Sequence, residues 1–391
     1  MIKEKLTKCA RVITALVTAV ALQTIIFGAS AQAQPGLNKS AGAVFAMTNA
    51  TKGNEIVTYA RASDGTLTRL NHVEKTRGLG QGVDTDTQGP LRLSPDNRFL
   101  YAVNPGSDNI SVFEVRGTQL KFLQIIPAGD QPLSLTIHGN LLYSLDGSVV
   151  GNGIRGFRIA PDGTLTELPN SFRMLSSPIA VPGEIKFSPD GQTILVTQKT
   201  TNVLLTPQNA IDAFAIGTDG YASAMPIRNA SFGLRPFSLA FRNDDKLVVV
   251  EAFNAAQNLS AASSYQLNAD GTITAISGSI PNGQTDVCWV LISNDGRYVY
   301  AANFGSGTIS SYSLSPSGSL TLLNGAAASL GAMSQPVDID VSADGHYLYQ
   351  LLRGTGAVAA LRIEADGSLT SLGLVTGGLP VADGASGLAA Y

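Results

Sequence analysis

The stretch from Asp286 to Leu323, DVCWVLISNDGRYVYAANFGSGTISSYSLSPSGSLTLL, reads as four short strands in succession. An apolar run over 287–293 is turned by Asn294-Asp295-Gly296. The segment 297–303 alternates, with Tyr298 and Tyr300 on one face. Gly305-Ser306-Gly307 leads more loosely into TISSYSL, and Ser317-Gly318 turns that strand into SLTLL. Period-two alternation, β-branched and aromatic enrichment, and Gly/Asp/Asn turns are the marks of strands joined as hairpins. The unit is a four-stranded antiparallel meander.

The unit recurs along the chain. Its late turn falls at Asp64-Gly65, Arg116-Gly117, Asp162-Gly163, Asp219-Gly220, Asp270-Gly271, Ser317-Gly318 and Asp366-Gly367. Its earlier turn reads SPDN at 94–97, SPDG at 188–191, SNDG at 293–296 and SADG at 342–345, with IHGN (137–140) and RNDD (242–245) as degraded copies. Four strands per repeat of roughly 40–50 residues is the signature of a β-propeller, whose blades bury their faces against one another. Seven late turns predict seven blades, over 43–89, 90–130, 131–181, 182–234, 235–285, 286–334 and 335–380. The first unit starts at what should be its second strand, Ala43-Val44-Phe45, while 385–391 resembles the opening of a blade with nothing after it. The expected fold is therefore all-β: a seven-bladed propeller whose C-terminal strand completes blade one. Closure of this kind hides the edges that a linear array would leave open.

Residues 1–33 read as a signal peptide. Lys3, Lys5, Lys8 and Arg11 precede an apolar stretch over 12–29, and Ala31-Gln32-Ala33 is an A-x-A cleavage site. Residues 34–42 form an N-terminal tail, and 43–391 a single domain. Cleavage would remove four basic residues and Glu4, moving the formal charge from −3 to −6. Neither nucleic acid nor an anionic membrane surface suits such a protein. The expected product is a secreted or periplasmic monomer with no membrane contact once the signal is gone. One cysteine, Cys288, remains, in an apolar inner strand where a small core residue belongs.

In such blades the PDG and DG turns share one face, and the variable connections share the other. The long crossover 76–89 and the long loops 199–210 and 252–262 all belong to the variable face, where a site is expected at the mouth of the central channel. The residues ending each second strand, Asn104, Asp146, Gln198, Glu251 and Asn303, are expected to point there. So are those leading into the inner strands, among them Gln88, Arg92, Gln131, Glu184, Arg235, Asp286, Gln335 and Asp338. His138 and His346 fall in turns of the opposite face and His72 in an outer strand, so His-based chemistry has no support. Asp84-Thr85-Asp86-Thr87-Gln88-Gly89 opens like a calcium loop, but its twelfth position is Pro95 and no helices flank it. No G-x-S-x-G elbow occurs, and neither a metal nor a cofactor is expected.

The strands SPDNRFLYAVN (94–104), NDGRYVYAANFGSGTISSYSL (294–314) and ADGHYLY (343–349) resemble the lactonase-type seven-bladed propellers, including 6-phosphogluconolactonase-like and carboxymuconate-cyclase-like proteins. The resemblance runs over nearly all of 43–391. It implies the opening or closing of a lactone ring on a sugar acid or muconate, without a cofactor. Enzymes of this family tend to carry histidine just after the proline that opens an inner strand. Here those positions read Pro132-Leu133, Pro182-Gly183-Glu184, Pro236-Phe237 and Pro336-Val337, so no residue's role is carried over. From placement alone, Glu184 or Glu251 could serve as base, with Lys199 also in a catalytic role. Arg235, Arg353, Arg92, Gln198, Asn303 and Asp286 would bind the substrate. The alternative is a non-catalytic propeller that binds an envelope protein, a polysaccharide or a small ligand.

Overall fold

In a computed structural model the residues 40–148, 151–177, 180–199 and 209–391 are described, and they form seven antiparallel sheets arranged as a ring. The expected signal peptide, most of the tail and the heart of the 199–210 loop lie outside the described residues. Within each sheet the strands pair in chain order, with two exceptions: Arg173–Met174 in blade three pairs with Gly153–Ile159, and Leu388–Ala390 pairs with Gly42–Met47, setting Phe45 opposite Ala389. The C-terminal strand thus completes blade one. No helix among the described residues is long and apolar enough to cross a membrane. Blade four departs from the expected strand placement: after Asp219-Gly220 only an isolated bridge forms, Ile216 to Ala222, and the outer strand is Ile227–Ala230.

The repeated turns share one hydrogen-bond scheme. In SPDN and its copies the serine Oγ donates to the aspartate two residues on, at 2.6–2.7 Å, and accepts the backbone N–H five residues on, at 3.0 Å. In the DG turns Asp64, Asp162, Asp270 and Asp366 each accept the N–H and the hydroxyl of the Thr or Ser two residues later. Those bonds hold the carboxyls below the usual aspartate range. These are side chain–backbone turns that need no tertiary contact, which is why they mark the repeats so legibly.

Neighbouring blades are stitched by a recurring contact. A buried tyrosine in the second strand donates its hydroxyl to the DG-turn glycine carbonyl of the next blade. Tyr101 reaches Gly163 at 3.1 Å, Tyr143 reaches Gly220 at 2.7 Å and Tyr300 reaches Gly367 at 3.0 Å. Across the closing junction Tyr349 reaches Gly65 at 3.0 Å. Gly65 has φ +84°, and a Cβ there would lie 2.1 Å from the Tyr347 ring, so both conformation and space require glycine. Replacing Tyr300 with Phe leaves a buried carbonyl without its donor. The expected cost is about 1 kcal/mol, read as a Tm lower by roughly 1–3 °C. An unchanged Tm would show that the hydroxyl contributes nothing across the junction.

Candidate functional site at the channel mouth

The crossover from blade one to blade two turns into the central channel and fills it. Thr85 N–H donates to Ser386 Oγ at 3.0 Å, and Thr87 Oγ1 donates to the Leu133 carbonyl at 2.8 Å. Gln88 donates its backbone N–H to Gly183 O at 3.1 Å, while its side-chain amide closes a pair of 2.9 Å bonds with the backbone of Val290. Gly89 N–H donates to Asp338 Oδ1, and the other Asp338 oxygen accepts Gly387 N–H. Inner strands of blades three, four, six and seven therefore hold this plug, and Asp338 ties it to the closing segment. Nothing local in TDTQG announces the role.

Two positions per blade surround the plug on the variable-loop face. The first is the residue leading into the inner strand. Gln131, Arg235, Asp286 and Gln335 all hold left-handed backbone there, with φ 56°, 56°, 57° and 47°. Non-glycine residues adopt this conformation at a cost, and such strain gathers at functional sites. The second is the residue at or just past the end of the second strand, which hydrogen-bonds back to the entry of the inner strand. Ala252 N–H donates to Arg235 O, Phe304 N–H to Asp286 O and Arg353 N–H to Gln335 O, while Lys199 N–H donates to Val181 O in blade four.

These positions assemble a charged mouth over an aromatic floor. Lys199, fully buried, places Nζ 2.7 Å from Asp86 Oδ2 and also donates to the Asp86 carbonyl; the ammonium lies 4.0 Å from the centre of the Phe237 ring. Arg235 lies 3.8 Å from the same carboxylate, and Arg353 lies 3.5 Å from Asp84. Phe237 packs against Trp289 at 5.1 Å and Trp289 against Phe304 at 6.2 Å, with Arg353 at 5.7 Å from the Phe304 ring. Trp289 Nε1 donates to Thr87 O, fixing the floor to the plug. Burial raises the carboxyls of Asp84 and Asp286, with Arg353 and Arg235 respectively opposing it, and burial lowers the Lys199 ammonium against the pull of Asp86. Asp286 receives a hydrogen bond from the Cys288 thiol at 3.6 Å and forms no ion pair within 4.0 Å among the described residues. The Cys288 thiol is itself pushed well up by burial, which makes it a poor nucleophile.

Of the residues singled out from sequence, Lys199, Arg235, Arg353 and Asp286 come together here. The others do not. Glu184 is buried inside the channel beyond the plug, with Oε1 taken by Arg92 Nη2 at 2.8 Å and Oε2 by Leu239 N–H at 2.9 Å. Glu251 lies within blade five, its oxygens occupied by Gly233 N–H, Ser263 Oγ and Ser279 Oγ at 2.5–2.8 Å. Asn303 bonds Asn282, Thr308 and Ser310, and Gln198 bonds Ser176. The expectation that second-strand ends face the mouth is corrected by one residue. Strand alternation turns Gln198, Glu251 and Asn303 into the blades and delivers Lys199, Ala252 and Phe304 to the mouth. Asp84 and Asp86 were missed as site residues: their D-x-D spacing suggests a cation, and the cations they meet are Arg353, Lys199 and Arg235.

A seven-bladed propeller with a plugged channel and a charged mouth on its variable face is the class of protein that fold and site define. The chain belongs to the lactonase family of such propellers: the family model described as "Lactonase, 7-bladed beta-propeller" matches residues 52–181 and 252–332. Among solved structures it is similar to a candidate 6-phosphogluconolactonase from Bacteroides fragilis, at 19% identity over 92% of this chain and 100% of that one, with a TM-score of 0.64. A second candidate 6-phosphogluconolactonase, from Bacteroides uniformis, matches at 18% identity over 89% of this chain and 99% of the other, with a TM-score of 0.68. A periplasmic gluconolactonase from Pseudomonas aeruginosa matches at 15% identity over 89% and 99% of the two chains, with a TM-score of 0.66. At these identities the likeness is one of fold. No curated protein sequence matches the chain.

Proposed function

We propose that the protein hydrolyses a lactone bearing a carboxylate or a comparable anionic group, at the mouth of the channel. The observation that carries this reading is the convergence of Lys199, Arg235 and Arg353 with Asp286 over the Phe237–Trp289–Phe304 floor. Lactone opening needs a base for water and a cation for the developing oxyanion. Asp286, raised by burial and outside the ion pairs, takes the water proton as the hydroxide oxygen bonds to the carbonyl carbon. Arg235, the more exposed of the two cations beside Asp86, stabilises the tetrahedral oxyanion, while buried Lys199 holds Asp86 in place. The ring C–O bond then breaks, and the alkoxide leaving group recovers the proton from Asp286, so that water is added across the ester. Arg353 holds the substrate's own anion. Membership of the lactonase family supports the reaction class.

The test is hydrolysis of a panel of sugar lactones and muconolactones by the purified protein. Turnover above buffer that is lost in Asp286→Asn supports the reading. No turnover on the whole panel favours the rival, a binding module for an envelope partner. The rival has one observation of its own: exposed Val83, Leu259, Met333 and Val381 lie in the loops of the same face.

Export is part of the same proposal, with residues 1–33 as a cleaved signal and a secreted or periplasmic product. N-terminal sequencing of protein recovered from the cell envelope or medium should begin at Gln34. Recovery of intact Met1 in the soluble cell fraction would remove this part of the reading.

A further inference from the structure

The channel has a second end, among the serine–aspartate turns, cut off from the mouth by the Gln88–Val290 pair and the buried Trp289. Lys186, two residues beyond Glu184 on the inner strand of blade four, and Arg92, on the inner strand of blade two, line a cavity of about 240 Å³ there, with Thr136, His138 and Ser188 in its wall. That is room for roughly eight waters' worth of volume.

The carboxyls nearby are already engaged. Glu184 is bonded by Arg92 and by Leu239 N–H, as described above. Asp340 accepts Ala390 N–H and Val341 N–H, both at 2.9 Å, and Asp338 clasps Gly89 and Gly387. Arg92 uses Nη2 on Glu184 and Nε on the Leu135 carbonyl at 3.2 Å, leaving Nη1 without a hydrogen bond among the described residues. Lys186 is less well supplied. Its Nζ stands 3.7 Å from Glu184 Oε1, beyond hydrogen-bond reach, and no hydrogen bond occupies it among the described residues. A partly buried ammonium with an ion pair but no hydrogen bond, beside an unfilled guanidinium edge in a recess whose wall also includes Leu93, Ile137 and Phe187, calls for an acceptor.

We propose that the turn-face end of the channel is a binding site for a small oxyanion, a carboxylate or a phosphate- or sulfate-like group, held by Lys186 Nζ and Arg92 Nη1. It is separate from the mouth, and its occupancy does not depend on lactone chemistry there. The burial that strips water from Lys186, together with the Arg92 charge, brings its ammonium down to about 8, against the pull of Glu184 and Asp340. Lys186 therefore carries its charge at neutral pH and loses it in mild alkali, leaving the Arg92 guanidinium as the one remaining cation of the site.

Calorimetric titration with sulfate, and separately with acetate, at constant ionic strength tests the assignment, because neither anion changes charge between pH 7 and 9. Saturable binding of at least one is expected at pH 7, several-fold weaker at pH 9. Lys186→Met should weaken it at least tenfold, Lys186→Arg should retain it, and in Arg353→Met, which removes any anion held at the mouth, the Lys186-dependent binding should persist. A response to both anions assigns oxyanions generally; sulfate alone assigns the phosphate- or sulfate-like group, and acetate alone assigns carboxylates. The thermal unfolding of Lys186→Met without anion reports whether it folds, and the pH dependence of the unaltered protein stands without any variant. Absence of saturable binding by either anion, binding indifferent to pH, or loss of binding in Arg353→Met in place of Lys186→Met overturns the proposal.

Discussion

A chain ending at Gly384 is expected to lose the cooperative fold, with its thermal transition abolished or lowered by tens of degrees and the protein aggregating on size exclusion. Residues 385–391 carry a buried strand, and its contacts reach blades one, two and seven. Leu388, Ala389 and Ala390 are buried and pair with Val44–Ala46. Gly387 N–H and Ala390 N–H satisfy Asp338 and Asp340 of blade seven. Tyr391 donates its N–H to Ala43 O and its hydroxyl to Gly117 O of blade two, and its carbonyl accepts Arg61 Nε at 3.0 Å. Counting about 1 kcal/mol for each of these hydrogen bonds and roughly 2–3 kcal/mol for the Leu388 side chain, the loss approaches the whole stability of a typical domain. It also strips one of two backbone donors from each of the buried carboxyls Asp338 and Asp340 and leaves the Gly42–Met47 edge bare. A truncated protein that melts within a few degrees of the full chain would show that the ring does not depend on its closure.

Asp286→Asn should lower kcat/KM for the lactone substrate by about 10²–10⁴-fold, the range for removal of a positioned general base, with KM little changed. Arg235→Met should cost about 10²–10³-fold through the lost oxyanion partner, and Arg353→Met should act mainly on KM. The acid limb of the pH–rate profile should lie above the ordinary aspartate value, because burial raises Asp286 and favours its protonated form as pH falls. Stability separates this from simple damage. A carboxyl whose folded pKa is raised penalises the fold above that pKa, where it is ionised in both states and better solvated when unfolded. Removing the charge should therefore leave Tm at neutral pH unchanged or higher. Full activity in Asp286→Asn would dismiss it as the base; a collapsed Tm would assign it a structural role.

How far the chain could be read in advance depends on the range of the interactions concerned. The DG and SPDG turns are closed by hydrogen bonds spanning two to five residues, so their spacing alone exposes seven meanders. The unmatched first and last strands then leave ring closure as the economical topology. Lys199, Arg235, Asp286 and Arg353 were visible from placement, as charged side chains near the strand ends expected on the variable face. Glu184 and Glu251 shared that placement, yet one engages the channel interior and the other the inside of a blade. Which way a strand-end side chain faces turns on a single residue of register, and register is settled by the pairing of whole strands.

The plug was beyond reading for the same reason. Thr87 meets Leu133, Gln88 meets Val290 and Gly89 meets Asp338, over separations of 46, 202 and 249 residues. No pattern within the loop encodes such partners. They exist only once seven blades have closed around a common axis. Local turn chemistry and strand alternation thus specify the blades and their number, while the contents of the channel and the company kept by each charge are decided by closure.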